Sequence, residues 1–231
     1  MRAVTHSSRP WDRSLHECVE RGSPPRWPPT PFAHWAFCDL PKRRGVSKRS
    51  SVEHSDTFSA VETWDAIRAR RNVRTYTDQP ISDTDLDRIL EAGWRAPSAS
   101  NRQRWDFIVI TDRAQLEALG GVWQGARHIP GAQAAIVLVI PHPDEDRFVT
   151  LDRYDLGQAT YAMMLAATDL GIGTGHSSIG DQDKAREILG FPDGYTAAYM
   201  IGLGYPADRP LRPIVKPARR PFDEVVHRGG W

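Results

Sequence analysis

Three arginines lie within five residues of one another, with an amide side chain between them. Arg70, Arg71 and Arg74 surround Asn72 at the end of a segment with helical spacing. Guanidinium groups this close repel one another unless an anion or solvent accommodates them, and their planar fork suits bidentate capture of phosphate. The pattern indicates a phosphate-binding cluster, and a solvated helix C-terminus is the structural alternative. Arg219 and the arginine after it form another cationic feature, which considered alone predicts only an exposed surface.

A second group of polar side chains lies on the turn Ala96–Trp105, between a predicted helix and a predicted strand. Pro97 restricts the turn. The hydroxyl and amide side chains that follow are Ser98, Ser100, Asn101 and Gln103. Their mixed donors and acceptors suit a ligand edge that carries both carbonyl and N–H groups. Considered alone, the turn is better interpreted as an ordinary polar connection.

Several familiar active sites are excluded for residues 61–231. This part contains no cysteine, because Cys18 and Cys38 both precede it, so thiol catalysis, cysteine-ligated metals and disulfides are excluded there. The glycine run Gly171–Gly175 follows a predicted helix and not a strand, which favours a helix C-cap and a tight loop over a dinucleotide-binding fingerprint. The stretch Gly175–Ile179 lacks the final glycine of a nucleophile elbow. The histidines have no metal-ligand spacing.

Hydrophobic periodicity and turn residues predict five helices and two or three strong strands. The predicted helices cover Thr63–Arg71, Ser82–Trp94, Arg113–Leu119, Leu151–Leu170 and Asp181–Leu189, and the predicted strands cover Trp105–Thr111, Ala134–Ile140 and Tyr195–Leu203. Ser82 and Asp85 have capping-box spacing. The fully apolar strand at Ala134 indicates a central position in a sheet. Without regular alternation of strand and helix, these elements predict an α+β fold and not a doubly wound sheet.

The first 60 residues differ in composition from the rest. They carry 10 basic and 6 acidic side chains, whereas residues 61–231 carry 20 and 23. Clustered prolines and a basic run favour a disordered leader, or a start codon placed too far upstream, over a docking motif built on its aromatic residues. Residues 61–231 suffice for one domain. No membrane span, signal peptide or nucleic-acid footprint is visible, which predicts a cytoplasmic protein.

Eight short motifs occur in order between Glu62 and Trp231. They are Arg70-Arg-Asn-Val-Arg74, Pro80-Ile-Ser, Ile89-Leu-Glu-Ala, Ala96-Pro-Ser98 with Asn101-Arg-Gln103 and Trp105, Leu165-Ala-Ala, Gly171-Ile-Gly, Gly204-Tyr-Pro206 and Arg219-Arg-Pro-Phe-Asp-Glu-Val-Val226. Each motif alone is weak. Together, their number, order and spacing resemble those of the nitroreductase family of FMN-dependent oxidoreductases.

The resemblance implies an α+β sandwich, in which helices flank a central, mainly antiparallel sheet, and an intertwined homodimer whose C-terminal arm wraps the partner. One FMN would lie at each end of the dimer interface, NADPH or NADH would be the co-substrate, and the stripe Tyr161–Leu170 would lie in the interface. The residues implied in FMN binding are Arg70, Arg71, Asn72, Arg74, Pro97, Ser98, Asn101, Gln103, Ser178, Ile179, Gly180 and Arg219. No catalytic side chain and no metal is implied, because the flavin carries the chemistry.

The resemblance also implies where these groups act. The segment Arg70–Arg74 approaches the FMN phosphate, ribityl chain and pyrimidine edge, and Arg219 returns to the phosphate. The polar turn comes from the same or the partner chain toward the ribityl and isoalloxazine groups, and Ser178–Gly180 places backbone N–H groups near flavin N5 and O4. Two departures from the family pattern are Asn72 in place of serine and Arg104 in place of the proline that usually follows the glutamine. No purpose for the Arg104 charge is implied.

The function implied is transfer of hydride from NAD(P)H through flavin N5 to a small organic acceptor, nitroaromatic or quinone-like, by a ping-pong mechanism. Two alternatives remain open. One is a flavin-modifying, reductive dehalogenase or dehydrogenase-type enzyme, and the other is a non-enzymatic flavin-binding dimer for storage or sensing. The segments on either side of the strand Ala134–Ile140 are short, so the acceptor is not identified.

Overall fold

The computed structural model describes residues 62–143 and 146–231, and the predicted leader lies outside the described residues. The described chain contains five α-helices and four β-strands. The helices are α1 (Thr63–Ala69), α2 (Asp83–Trp94), α3 (Arg113–Leu119), α4 (Asp146–Asp169) and α5 (Gln182–Leu189). The strands are β1 (Asp106–Ile110), β2 (Ala134–Pro141), β3 (Gly173–Ser178) and β4 (Tyr195–Gly204).

The four strands form one antiparallel sheet in the order β1-β2-β4-β3. Strand β2 pairs with β1 on one side and with β4 on the other, and all its residues from Ala134 to Ile140 are buried. A continuous apolar run suits such a strand, because both of its faces are covered. The predicted central position of this strand and the predicted α+β class are confirmed.

Helices cover both faces of the sheet, and alternate residues of β2 enter two different cores. Val137 belongs to the core that contains Leu116 of α3. Leu138 belongs to the core that contains Ile89 of α2 and Met163 of α4. Because successive side chains of a strand point to opposite faces, one apolar run supplies both cores. The predicted sandwich of helices around a mainly antiparallel sheet is confirmed.

Helix α2 begins at the predicted cap and ends at a tight helix–helix contact. The Ser82 Oγ accepts the Asp85 N–H at 3.1 Å and donates to the Asp85 carboxylate at 2.8 Å. Near the other end, a Cβ on Gly93 would lie 2.8 Å from the side chain of Met163 in α4. This close packing fixes the end of α2, from which the polar turn departs.

The prediction of a tight loop after Gly171 is wrong beyond the helix cap. Gly171, with a φ of +73°, follows α4 as a C-cap residue should. The chain then continues as strand β3, paired with β4. A close crossing requires glycines here, because a Cβ on Gly175 would lie 2.4 Å from the Val73 carbonyl oxygen, and one on Gly173 would lie 2.6 Å from the Val73 side chain. The glycines therefore reflect contact with a distant segment and not a turn.

Helix α4 is longer than predicted and buries part of the stripe that was expected in a subunit interface. It begins at Asp146, five residues before the predicted start. Of the expected stripe, Tyr161 is exposed, whereas Met164 and Thr168 are buried within the single chain. None of the described helices has both the length and the apolar character needed to cross a bilayer.

Candidate active site

The predicted phosphate-binding segment lies along β3, an outer strand of the sheet. After α1 ends at Ala69, the Val73 N–H donates to the Thr174 carbonyl oxygen at 2.8 Å, and the exposed Asn72 forms a parallel bridge with Thr174. Val73 is fully buried. These contacts fix the backbone between Arg70 and its neighbours relative to β3, so the arginines are presented from a rigid segment.

Arg70 and Arg219 line the same groove, which has a volume of about 440 Å³. Its other lining residues are Trp64, Ile67, Arg68, Tyr161, Ile214, Val215 and Pro217. The guanidinium carbon of Arg70 lies 5.8 Å from the Tyr161 ring centroid, and its buried Nε has no hydrogen-bond partner among the described residues. Because a buried donor without an acceptor is unfavourable, this groove is complementary to an anionic ligand.

Arg71 binds the beginning of the C-terminal arm, residues 207–231. It is not among the residues that line the groove of Arg70 and Arg219. Its terminal nitrogens donate to both carboxylate oxygens of Asp208, at 3.1 and 2.8 Å, and to the Arg209 carbonyl oxygen at 2.5 Å. This hydrogen bonding lowers the pKa of Asp208 from its ordinary value. Arg71 lines a separate groove of about 350 Å³ with Arg209 and Arg212. Its expected flavin contact stays a prediction, and the structure gives it another role.

Arg74 and His176 add cationic and titratable groups beside Arg70. His176 lies on β3 and lines a mostly apolar cavity of about 260 Å³. The other walls are Gly157, Thr160, Tyr161, Met164 and Tyr199. Partial burial, and then the positive charges of Arg74 and Arg70, lower the pKa of His176 from its ordinary value. Since Tyr161 lines both this cavity and the arginine groove, the two are neighbours.

Sequence reasoning misses His176, although one observation could have found it. In β3, Gly175 and Ser177 are buried, whereas His176 and Ser178 are exposed. Once residues 173–178 are recognised as a strand, the two-residue alternation places His176 and Ser178 on the accessible face. The glycine-rich composition concealed the strand and with it this residue.

The polar turn has a strained backbone, in which three residues other than glycine have positive φ. These are Ser100, Asn101 and Gln103, with φ of 53°, 53° and 50°, in a region that costs roughly 1–2 kcal/mol for an L residue. The Ser98 Oγ accepts the Gln103 N–H at 3.0 Å, and the Gln103 Nε2 donates to the Asn101 Oδ1 at 3.1 Å. Strain that the surrounding structure maintains is typical of ligand-binding loops.

Helix α4 holds the beginning of this turn. The buried Asp155 accepts the Ala99 N–H at 2.9 Å, and the Gln158 Nε2 donates to the Pro97 carbonyl oxygen at 3.4 Å. Ala99 directly precedes the residues with positive φ. The hydrogen bond to Asp155 therefore secures the strained part of the turn.

Arg104 ties the end of the same turn to the same helix. Its Nε lies 3.3 Å from the Asp152 Oδ2, and only 18% and 4% of the two side chains are exposed. Its Nη2 also donates to the His142 carbonyl oxygen at 3.3 Å. Asp152 and Asp155 are three residues apart and share a face of α4. The structure thus supplies a role for the charge that replaces the usual proline.

The predicted N–H donors after β3 are partly engaged within the protein. The Gly180 N–H donates to the Val122 carbonyl oxygen at 3.2 Å, Ile179 is buried, and Ser178 is exposed. A Cβ on Gly180 would lie 2.2 Å from the Trp123 ring, so no larger residue fits there. The resemblance implies that the Gly180 N–H donates to the flavin. For this to happen, its hydrogen bond to the Val122 carbonyl oxygen must first break.

Within a single chain, the two halves of the predicted site line different cavities. The arginine groove and the His176 cavity include no residue of the turn 97–103. Gln103 lines another groove, of about 550 Å³, together with Trp94 and Trp105. The structure therefore brings Arg70 and Arg219 together in a groove that adjoins the His176 cavity, whereas the polar turn lines neither of them.

The described residues offer no group of three or more His, Cys, Asp or Glu that could hold a metal ion. His128, which is buried, has its two ring nitrogens 3.1 and 3.0 Å from the carbonyl oxygens of Gly125 and Gly175. It is a structural histidine that connects the turn before β2 with β3.

The described chain is thus an antiparallel α+β sandwich with a cationic groove at the edge of its sheet. The model of the nitroreductase family matches residues 67–136 and 122–205. A nitroreductase-type protein of Archaeoglobus fulgidus is 34% identical over 171 residues, which cover 71% of this chain and 96% of the relative. The chain therefore belongs to the nitroreductase family, and the predicted resemblance is confirmed.

Two further comparisons concern proteins with named activities. The oxygen-insensitive NADPH nitroreductase of Salmonella typhimurium is 32% identical over 188 residues, which cover 73% of this chain and 74% of the relative. The structure of the NADPH:FMN oxidoreductase from Vibrio harveyi, solved with NAD+, superposes with a TM-score of 0.63 at 26% identity and covers 72% of this chain and 76% of that one. Its fold is the sandwich described above.

Proposed function

We propose that this protein is an FMN-dependent NAD(P)H oxidoreductase that reduces a small organic acceptor of the nitroaromatic or quinone type. The family supports this, because the S. typhimurium relative is an NADPH nitroreductase and the V. harveyi neighbour an NADPH:FMN oxidoreductase. The observation that carries the proposal is the groove that Arg70 and Arg219 line together, with a buried Arg70 Nε that has no hydrogen-bond partner among the described residues. When bound, FMN supplies the redox chemistry, with hydride taken from NADPH or NADH and given to the acceptor in a second half-reaction.

The groove fits the phosphate of FMN. A phosphate monoester carries close to two negative charges and three acceptor oxygens, and each hydrogen bond between charged groups contributes about 1.5–3 kcal/mol. Arg70 and Arg219 supply guanidinium forks. Arg68 adds a third cation, although it also pairs with Asp65 at 3.3 Å on the surface. A bound phosphate would give the Arg70 Nε the acceptor that the described chain does not provide.

The cavity and the polar turn fit the flavin ring. The cavity beside Arg70 has a mostly apolar wall that includes Tyr161 and Met164, which suits the face of a planar ring. The donors and acceptors of Ser98 and Asn101 suit the ring edge, and their strained, anchored backbone is preorganised for binding. Because the turn does not line the groove of its own chain, we propose that it serves the flavin held by a second copy.

Exposed apolar side chains support a homodimer. Large hydrophobic residues remain exposed on α1, α2 and α4 and along the C-terminal arm: Trp64, Trp94, Leu151, Tyr154, Tyr161, Val215, Phe222, Val225 and Trp231. In the arm, Val215 is 80% exposed and Phe222 71% exposed. Contiguous exposed apolar surface marks protein interfaces, and Trp64, Tyr161 and Val215 line one groove. An arm with these side chains fits the proposed wrapping around a partner.

The proposal is tested by absorbance spectroscopy on the full-length protein. We expect it to bind FMN, to lose its yellow colour when NADPH or NADH is added without oxygen, and to regain the colour with a nitroaromatic or quinone. Arg70→Ala removes at least one charge-assisted hydrogen bond and should weaken FMN binding about 10- to 150-fold. Arg95→Ala is the matched control, because Arg95 is exposed at the end of α2, does not line the arginine groove and pairs with Glu91 at 2.6 Å.

The alternative outcomes distinguish the other functions. A protein that remains colourless with added FMN refutes the proposal. Tight FMN binding without turnover of any acceptor supports storage or sensing. Consumption of the bound FMN itself in air supports a flavin-modifying enzyme.

A further inference from the structure

His176 lies next to the arginine groove, so an anion bound in that groove would change the electrostatic environment of its imidazole ring. It is paired with Ile201 in the sheet, and its side chain lines the 260 Å³ cavity. Tyr161 lines this cavity and also the arginine groove, and the Arg70 guanidinium lies over the Tyr161 ring. His176 and the proposed phosphate site are therefore neighbours across one aromatic side chain.

The neighbouring groups that lower the pKa of His176 are all basic side chains. Arg70 acts from the end of α1, Arg74 from the segment beside β3, and His128 from the turn before β2, while two tyrosines complete the cavity wall from α4 and β4. Burial, followed by the two arginine charges, lowers the pKa of His176. No carboxylate among the described residues contributes to this shift. Without an anion, the His176 ring is therefore mainly neutral near neutral pH.

We propose that His176 takes up a proton when the phosphate of FMN binds in the arginine groove, so that flavin binding is coupled to pH. This inference rests on the proposed function, because it names a group that responds to the cofactor. A phosphate compensates the arginine charges that disfavour the imidazolium and adds a negative charge that favours it. His176 thereby joins Arg70 and Arg74 as a third cation beside the bound flavin.

Thermodynamic linkage determines the direction of the pH dependence. The pKa of His176 is low in the free protein and higher in the complex, so binding takes up a proton between the two values and affinity rises as the pH falls through this range. Each unit between the two pKa values corresponds to a tenfold change in affinity. The second ionisation of the phosphate, near pH ~6, acts in the opposite direction. The ionisation of the phosphate affects every protein that binds FMN in the same way. The effect of His176 is therefore measured as the ratio of the FMN dissociation constants of a protein without His176 and of the wild type.

The experiment measures FMN dissociation constants for the flavin-free protein between about pH 5.5 and 8, the range in which histidines titrate. The wild type is compared with His176→Gln and with the matched control His142→Gln, which removes an exposed histidine outside the cavity. The ratio of the His176→Gln constant to the wild-type constant should increase about tenfold or more toward low pH, and the His142→Gln ratio should stay constant. Calorimetry in two buffers with different heats of ionisation should detect this proton uptake when FMN binds to the wild type, and should not detect it with His176→Gln.

Two simpler probes identify which part of the ligand acts. Inorganic phosphate should raise the titration midpoint of the His176 imidazole resonance in the NMR spectrum of the wild type. Oxidised riboflavin, which has the ring but no phosphate, should leave the midpoint unchanged. This measurement needs no variant, so it decides the question even if His176→Gln fails to fold.

The outcomes separate this inference from the function on which it rests. A ratio that is constant with pH, while both proteins bind FMN, overturns the role of His176. A midpoint shift with riboflavin as large as that with inorganic phosphate overturns the assignment to phosphate. Failure of the wild type to bind FMN at any pH overturns the proposed function itself.

Discussion

The buried carboxylate of Asp155 allows a quantitative test of how the polar turn is held. Only 6% of Asp155 is exposed, and its Oδ2 accepts the Ala99 N–H at 2.9 Å. Asp155→Ala removes a hydrogen bond to a charged group, which contributes about 1.5–3 kcal/mol. Relaxation of one strained residue, such as Ser100, from the left-handed region returns roughly 1 kcal/mol of this. We therefore expect the free energy of unfolding to fall by about 1–2 kcal/mol.

The effect on the turn should exceed the effect on global stability. Once the turn relaxes, its side chains lose the arrangement proposed for flavin binding, so FMN affinity should fall together with amide protection at 99–103. Urea unfolding, FMN titration and hydrogen exchange measure the three quantities. Asp169→Ala is the matched control on the same helix, because Asp169 pairs at 2.6 Å with Arg88 and the two side chains, 23% and 55% exposed, are much more accessible than Asp155. An exposed pair contributes about 0–1 kcal/mol.

Two results would refute this reasoning. The first is a loss of stability in Asp155→Ala no larger than in Asp169→Ala, which would mean that the buried bond contributes no more than a surface pair. The second is a loss of stability without any change in exchange at 99–103 or in FMN affinity. In that case the hydrogen bonds inside the turn, and not Asp155, maintain its conformation.

Two more predictions concern the close crossing at β3 and the attachment of the arm. Gly175→Ala places a Cβ 2.4 Å from a Val73 backbone oxygen, so urea unfolding should show a loss of stability of roughly 3 kcal/mol. The control Gly131→Ala, with nothing within 4 Å of the new Cβ, should change stability by less than about 0.5 kcal/mol. Equal losses in the two variants would contradict the close contact between Gly175 and Val73. Because Arg71 lowers the pKa of Asp208, the attachment is fully present above the pKa of an unfolded aspartate and is lost as the pH falls through the lower folded value. Hydrogen exchange at 207–209, corrected for intrinsic rates, should therefore lose protection in acid in the wild type but show no such transition in Arg71→Ala, and identical profiles would argue against this attachment.

Elements with determinants close together in sequence could be predicted. The Ser82 cap of α2 depends on a residue three positions away, and the bond is present at 3.1 Å. The central strand β2 follows from one apolar run, because burial on both faces requires every residue to be apolar. Residue type alone drew attention to the arginines at 70–74, and the structure places Arg70 in one groove with Arg219, which only the resemblance had implicated. Phosphate binding in this groove stays a prediction.

Elements that depend on distant contacts could not be predicted in this way. Strand β3 lacks a strand-like sequence because its glycines accommodate Val73, which lies about 100 residues earlier in the chain. The binding of Arg71 to Asp208 joins positions 137 residues apart, and nothing near Arg71 in sequence distinguishes it from Arg70. His176 became a candidate only when the position of β3 beside both arginines was known.

By the resemblance, Arg104 stands where the family usually has a proline. Here side chains of helix α4, and not a proline ring, restrict the backbone of the polar turn. A proline restricts the backbone by its ring, whereas here Asp152 pairs with Arg104 at one end of the turn and Asp155 accepts the Ala99 N–H at the other. Because the Asp152–Arg104 pair is largely buried, removing one partner would leave a costly charge, so the two side chains hold each other in place. The same helix places Tyr161 in the wall between the arginine groove and the His176 cavity. In the proposed dimer, α4 therefore sets the position of the polar turn at one flavin and of the aromatic wall at the other.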